Sequence, residues 1–183
     1  MKQDARITRT LNLIRTAFLD LLEEKGFEAM TVQDILDRTL LNRSTFYKHF
    51  TNKNDLAKLF VDELKTLFQH NLEERFSVPT AEFAQRAAPI FWQNKELIRL
   101  IGAIETPKIN LFRDLQIMLK AQYLRSQQAQ QPNANLDFQA HIFAINTIGM
   151  LRYFVEKGEK PDPNAVLADV DAVFKLLIIR DEF

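Results

Sequence analysis

The sequence predicts an all-α protein, and three observations carry that expectation. Only four of its 183 residues are glycine, and Leu, Phe, Ala, Gln, Lys and Glu are plentiful, a composition that favours helix. Apolar residues recur at three- and four-residue spacing. Capping residues, prolines and glycines bracket those stripes. About nine helices are expected. An N-terminal three-helix unit occupies 1–52, and a helical body occupies 53–183.

The first helix is expected from about Ile7 to Lys25, with Ile7, Leu11, Ile14, Phe18, Leu21 and Leu22 on one stripe. Gly26 supplies a C-terminal stop, and Phe27 and Met30 read as core plugs. Thr31 caps the second helix, about Val32 to Arg38, with Asp34 three residues on as a near capping box. Four residues, Thr39 to Asn42, connect it to a third short helix, Arg43 to Phe50, for which Asn42 is a good N-cap. Asn52 caps a fourth helix, with Asp55 at its third position and Leu56, Leu59, Phe60, Leu64, Leu67 and Phe68 along it.

The body continues in helices. Thr80 to Gln93 contains Pro89, where a kink or break is expected. Lys95 to Ile104 is short, and Lys108 to about Gln130 is long. The polar stretch Gln127 to Asn135 reads as a loop. Leu136 to Lys157 is the most apolar helix and stops at Gly158. Asp162 caps a last helix that begins on Pro163, a favoured first position for proline.

Composition excludes several chemistries. The chain has no cysteine, which removes disulfides, zinc–thiolate sites and cysteine nucleophiles. Three histidines, no phosphate-binding glycine loop and no metal-spaced cluster argue against an enzyme, a cofactor or a metal site. The pairs Glu23-Glu24 and Glu73-Glu74 are adjacent in helices and point in different directions. No N-terminal apolar region or bilayer-length run is present, so a soluble cytoplasmic protein without membrane contact is expected. Formal net charge is zero, but the basic residues cluster. Lys2, Arg6, Arg9 and Arg15 form one group, and Arg38, Arg43, Lys48, Lys53 and Lys58 form another. Charge alone does not separate one basic face from a mixed surface.

Two short helices joined by four residues within a three-helix unit form a helix-turn-helix arrangement, whose second helix enters the major groove of double-stranded DNA. At about 100° per residue, Phe46 and Phe50 share the core side, and Ser44 and Lys48 point the opposite way. Lys48 can donate to guanine O6 or N7, and Ser44 can donate or accept. Thr45 and Tyr47 flank them and offer hydroxyls to the sugar-phosphate walls. Thr31 and Lys53 sit at helix N-termini, where free N–H groups favour an anion. Arg43 can reach a base or a phosphate.

The stretches Thr31-Val32-Gln33-Asp34-Ile35, Asn42 to Phe50 (Asn-Arg-Ser-Thr-Phe-Tyr-Lys-His-Phe) and Asn52-Lys53-Asn54-Asp55-Leu56 resemble the TetR family of regulators. The resemblance covers roughly the first third of the chain. It implies that Thr31, Arg43, Ser44, Thr45, Tyr47, His49 and Lys53 contact DNA, and that the rest is a ligand-binding and dimerisation domain. One departure concerns the turn. Thr39-Leu40-Leu41-Asn42 stands where the family usually has Ala-Gly-Val-Ser. A leucine forced into the left-handed conformation that glycine tolerates costs about 1–2 kcal/mol. The turn is therefore either strained or differently routed.

In the body, Ile142, Phe143, Ile145, Ile148, Leu151, Phe154 and Val155 cover much of one helix, and Leu167, Val170, Phe174, Leu177 and Ile178 stripe the next. Two copies forming a four-helix bundle through these last two helices would bury this surface, with Gly149 permitting close approach. An intramolecular core would do so equally well. Phe68, Phe91, Trp92, Met118 and Tyr123 can line a cavity for a small apolar or aromatic effector, and His70, Gln116, Gln122, His141 and Asn146 are candidate polar hooks. The function expected is a ligand-responsive homodimeric repressor on a palindromic operator. The alternative is a TetR-like regulator whose C-terminal domain binds a protein partner and acts as co-activator.

Overall fold

The structure, a computed structural model, describes residues 2–128 and 135–177. Most of the polar Gln127–Asn135 stretch and Ile178 lie outside them. Nine helices are present among the described residues: α1 (Lys2–Ala29), α2 (Val32–Thr39), α3 (Arg43–Tyr47), α4 (Lys53–Glu74), α5 (Thr80–Gln93), α6 (Lys95–Gly102), α7 (Leu111–Gln127), α8 (Leu136–Lys157) and α9 (Pro163–Leu177). None is long and apolar enough to cross a membrane.

The chain divides into two compact units. The first is Met1–Lys65 with Leu100–Leu111, and the second is Thr66–Arg99 with Phe112–Phe183. This differs from the division at 52/53 read from the sequence. The first half of α4 buries Leu56, Ala57, Phe60 and Leu64, and these apolar side chains belong to the first unit.

In the first unit, α1 buries Ile14, Phe18, Leu21 and Leu22, whereas Ile7 at its N-terminal end is 40% exposed. Phe18 stacks on Phe60 with centroids 5.4 Å apart and meets Phe27 edge-on at 6.4 Å. Helical geometry breaks at Gly26 (φ 74°, ψ 170°), a backbone state that a side chain would oppose. The segment 100–111 adds the buried Ile101, Ile104, Ile109 and Leu111. Its turn closes where the Thr106 N–H donates to the Ile109 carbonyl (2.8 Å) and the Ile109 N–H donates to Thr106 Oγ1 (2.9 Å). That turn takes up Lys108, so α7 begins at Leu111, three residues later than the pattern suggested.

In the second unit α5 packs against α9. Pro89 lies inside α5 and does not end it, contrary to the break allowed for from the sequence. The last helix begins as expected. The Asp162 carboxylate accepts from the Asn164 N–H at 3.0 Å, and Pro163 occupies the first helical position.

Candidate nucleic-acid interface and ligand cavity

The two-helix motif is built on reciprocal caps. Thr31 Oγ1 accepts from the Asp34 N–H (3.2 Å), and Asp34 Oδ2 accepts from the Thr31 N–H (2.7 Å). Lys25 adds an ion pair to Asp34 at 2.8 Å. Lys25 first, and then Thr31, lowers the Asp34 carboxyl from its ordinary 3.8 to about 2. The α4 cap is similar. Asn52 Oδ1 accepts from the N–H groups of Asn54 (2.8 Å) and Asp55 (3.1 Å), and Asp55 reaches back to the Thr51 N–H at 3.1 Å and to its hydroxyl. Asn42 differs from expectation. Its backbone is extended, but its side chain makes no cap hydrogen bond. Its carbonyl accepts from the Thr45 N–H at 2.8 Å instead.

The connection keeps the path that glycine would take. Leu40 ends α2 in the left-handed conformation (φ 54°, ψ 27°), with its side chain 90% exposed. Of the two outcomes open from the sequence, the strained turn is the one present. The strain is about 1–2 kcal/mol for a residue with a Cβ.

Helix α3 is five residues long, shorter than the expected Arg43 to Phe50. Phe46 is fully buried and Phe50 half-buried. Ser44 and Lys48 are exposed, and their side chains carry no hydrogen bond or ion pair among the described residues. Thr45 and His49 are half-buried, and Tyr47 is 44% exposed. The Arg43 guanidinium lies 5.6 Å from the centre of the Tyr47 ring, which meets Phe46 edge-on at 5.5 Å. Arg43 Nη1 also donates to Gln33 Oε1 at 3.4 Å. Exposed Arg43, Ser44 and Tyr47 on α3, and Lys48 at its C-cap, thus sit on one short element anchored by Phe46.

Lys53 begins α4, as expected, but its side chain turns back to the end of α1. Its Nζ donates to the carbonyls of Phe27 (2.6 Å), Glu28 (3.1 Å) and Met30 (2.8 Å), and it lies 4.6 Å from the centre of the Phe27 ring. An ammonium has three donors, and all three are engaged. Lys53 therefore clamps the end of α1, where orphan carbonyls and the helix dipole favour a cation. A reading confined to α4 has no way to find acceptors more than twenty residues upstream.

The basic clusters are also thinned by internal pairing. Arg15 makes a two-pronged bond to Glu63 (2.6 and 2.7 Å) and covers the Phe60 ring at 4.4 Å. Arg38 pairs with Glu24 in the same way (2.7 and 2.6 Å). Within those two clusters, Arg6, Arg9, Arg43, Lys48 and Lys58 have no carboxylate partner among the described residues, and Lys53 bonds carbonyls only.

The second unit holds a half-open cavity of about 660 Å³ lined by residues of α4 to α9 and of the segments that join them. Phe68, Phe91, Trp92, Met118 and Tyr123, singled out in the sequence, all line it. Phe68 and Phe91 stack at 4.6 Å. Of the polar hooks only Asn146 lines it, and its amide donates to the Ile142 carbonyl of its own helix at 2.9 Å. The sequence reading did not anticipate two further lining residues, Arg75 and Lys95. The Arg75 guanidinium lies 5.5, 5.6 and 5.8 Å from the ring centres of Phe76, Phe83 and Phe143. Lys95 Nζ lies 3.8 Å from that of Trp92. Whether a charge next to aromatics has a counter-ion is decided by tertiary neighbours, so sequence gave no signal for either.

Helices α8 and α9 carry exposed apolar side chains: Ile145 (38%), Tyr153 (55%), Val173 (54%) and Leu176 (82%). A Cβ added at Gly149 meets nothing within 4 Å.

Comparison with known proteins gives a consistent picture. Residues 14–59 match the profile of bacterial regulatory proteins of the tetR family. An uncharacterized HTH-type transcriptional regulator of Bacillus subtilis (strain 168), YxbF, is 28% identical over 177 residues, covering 90% of this chain. The chain spans 44% of the length of that relative. A TetR transcriptional regulator from Streptococcus agalactiae shares the fold with a TM-score of 0.68 and 23% identity, over 92% of this chain and 94% of the other. A gamma-butyrolactone receptor (ArpA-like protein) shares it with a TM-score of 0.53 and 16% identity, over 94% and 98%.

Proposed function

This chain belongs to the TetR family of transcriptional regulators, and from that premise we propose that it is a ligand-responsive homodimeric repressor of a palindromic DNA operator. The observation that carries the DNA-binding part is α3. A fully buried Phe46 fixes the helix, and Arg43, Ser44, Tyr47 and Lys48 are left facing solvent. Ser44 and Lys48 meet base edges. Arg43, Thr45 and Tyr47 meet the backbone walls. Thr31 and His49 border this surface. Lys53 acts by holding α4 to the end of α1 and thereby sets the angle of the motif.

Dimerisation is supported by the exposed apolar side chains of α8 and α9 and by the open space at Gly149. A two-fold dimer presents two recognition helices to major grooves about 34–36 Å apart. The cavity supports a small-molecule effector over a protein partner, since a concave, predominantly apolar space of about 660 Å³ has the size and lining of a small-ligand site. The gamma-butyrolactone receptor is a precedent for a small ligand in this fold. A ligand that favours a dimer with wrongly spaced recognition helices releases the operator.

Footprinting on DNA upstream of the protein's own coding region tests the reading. A protected inverted repeat with half-sites one helical turn apart is expected. Absence of any protected palindrome at low salt would sink it.

A further inference from the structure

We propose that the effector is an amphiphilic monocarboxylate, with its carboxylate on Arg75 and its apolar chain along the cavity towards Trp92. The inference rests on reading the second unit as the ligand-binding part.

The lining of the cavity contains two cations and, among the described residues, no Asp, Glu or His. Both cations are half-buried; Arg75 has no anionic partner among the described residues, whereas Lys95 feels the charge of Glu96 beside it. The neighbouring carboxylates are committed elsewhere. Glu74 and Glu82 pair with Arg86, and Glu96 pairs with Arg99. Holding a guanidinium away from water without a counter-ion is unfavourable, and burial accordingly lowers the pKa of Arg75. The site is therefore complementary to an anion before one arrives.

The other polar groups lining the cavity are largely spoken for. The Tyr123 hydroxyl donates to Gln139 at 2.8 Å, and the Thr147 hydroxyl donates to the Phe143 carbonyl at 2.8 Å. The neutral donors that remain include the Thr80 hydroxyl and amide N–H groups of Gln139 and Asn146. Arg75 is different. Phe76, Phe83 and Phe143 surround its guanidinium, and attraction to ring faces leaves N–H groups free. Those N–H groups suit a two-pronged carboxylate.

Shape selects the rest of the ligand. Arg75 sits beside Phe83 and Lys95 beside Trp92, nine residues along α5, or about 13 Å by helical rise. Apolar side chains, Phe68, Phe91 and Met118 among them, line the space between. A molecule charged at one end and apolar along its length matches this arrangement.

The test is calorimetric titration of the full chain, without DNA, with octanoate, dodecanoate and hexadecanoate and with the alcohols of the same lengths, all below their micellar concentrations. At least one carboxylate should bind about tenfold or more tightly than its alcohol, the worth of a charge-assisted hydrogen bond. Arg75→Gln should erase that preference while still binding the alcohol, which shows the cavity intact. Arg75→Lys should restore part of it. Lys95→Gln should lower carboxylate affinity less than Arg75→Gln does. Equal binding of acid and alcohol by the wild type, a preference that survives Arg75→Gln, a larger effect at Lys95, or binding of neither series would overturn the proposal. Operator affinity of the unliganded protein, measured in parallel, reports on the repressor reading separately.

Discussion

The two units use their charged and apolar groups in opposite ways. In the first, Arg15, Lys25, Arg38 and Lys53 all close on partners of the same unit, and Phe18, Phe46 and Phe60 are wholly buried. In the second, Arg75 faces a cavity without a counter-ion among the described residues, and large apolar side chains remain on the surface of α8 and α9. A unit whose core rings are wholly buried and whose caps and clamps close on themselves suits the presentation of a few side chains to DNA at fixed geometry. A unit with unmet apolar surface and unmet charge suits binding, both of a ligand and of a second copy.

The largest effect on operator binding is expected where that unmet surface is blocked. Gly149→Phe has room within the protomer but would obstruct close helix approach across a dimer. The variant should sediment as a folded monomer and lose operator affinity by on the order of a hundredfold, the avidity that two linked half-site contacts supply. A dimer with wild-type affinity would place the interface elsewhere.

Packing offers a direct comparison of the units. Phe60→Ala removes a fully buried ring from the first unit and should cost about 3–5 kcal/mol. Phe91→Ala removes a half-buried ring that already borders empty space and should cost about 1 kcal/mol. Denaturant melts with constant m-value measure both. Equal losses would mean that the second unit is packed as tightly as the first.

Two lysines of the motif should behave differently. Lys53→Met leaves three carbonyls at the end of α1 without their cation and should destabilise the first unit by about 1–3 kcal/mol. Lys48→Ala should leave stability unchanged and alter sequence preference, with binding measured on a panel of operator variants. If Lys53 met a phosphate instead, its replacement would reduce the salt slope of binding by about one unit and leave the melt unchanged.

What the sequence disclosed follows the same division. The caps Thr31–Asp34 and Asn52–Asp55 are local patterns, and both form. The orientation of Phe46, Ser44 and Lys48 follows from helical geometry alone. Leu40 was legible as a conflict, because only one residue in the turn had to bear it. Features set by distant chain were not legible: the Lys53 clamp, the pairing of Arg15 and Arg38, and the isolation of Arg75. Pro89 is intermediate. Its effect on a helix is local, but tertiary packing decides whether the helix survives it, and α5 packs on α9.

Leu40→Gly tests the strain in the turn. It replaces a left-handed leucine with the residue that adopts that state freely and removes a 90% exposed apolar side chain. Relief of about 1–2 kcal/mol is offset in part by the greater freedom of glycine in the unfolded chain. A net gain of about 0.5–1 kcal/mol is expected, read as a higher thermal midpoint with operator binding retained. Destabilisation would mean that the Leu40 side chain makes a contact worth more than its strain.

The smallest effect concerns acid. Asp34 titrates at about 2 in the folded chain, against an ordinary 3.8, because Lys25 and Thr31 hold its charged form. Between those values the unfolded chain binds the extra proton and the folded one does not, so acid favours unfolding. The contribution of Asp34 is thus complete above about pH 4, declines as pH falls towards 2, and is absent below. The Asp34 side chain is partly exposed, so the interaction is screened and its share of stability is small. Thermal melts from pH 5 to pH 2 should show a shallower dependence in Asp34→Asn than in wild type, together with a lower midpoint at pH 5 where the cap is lost. Hydrogen exchange should confine the change to the first unit, since Lys25, Thr31 and Asp34 all lie there. An unchanged slope, or a change spread through α8 and α9, would show that the caps of the motif are not an independent source of its rigidity.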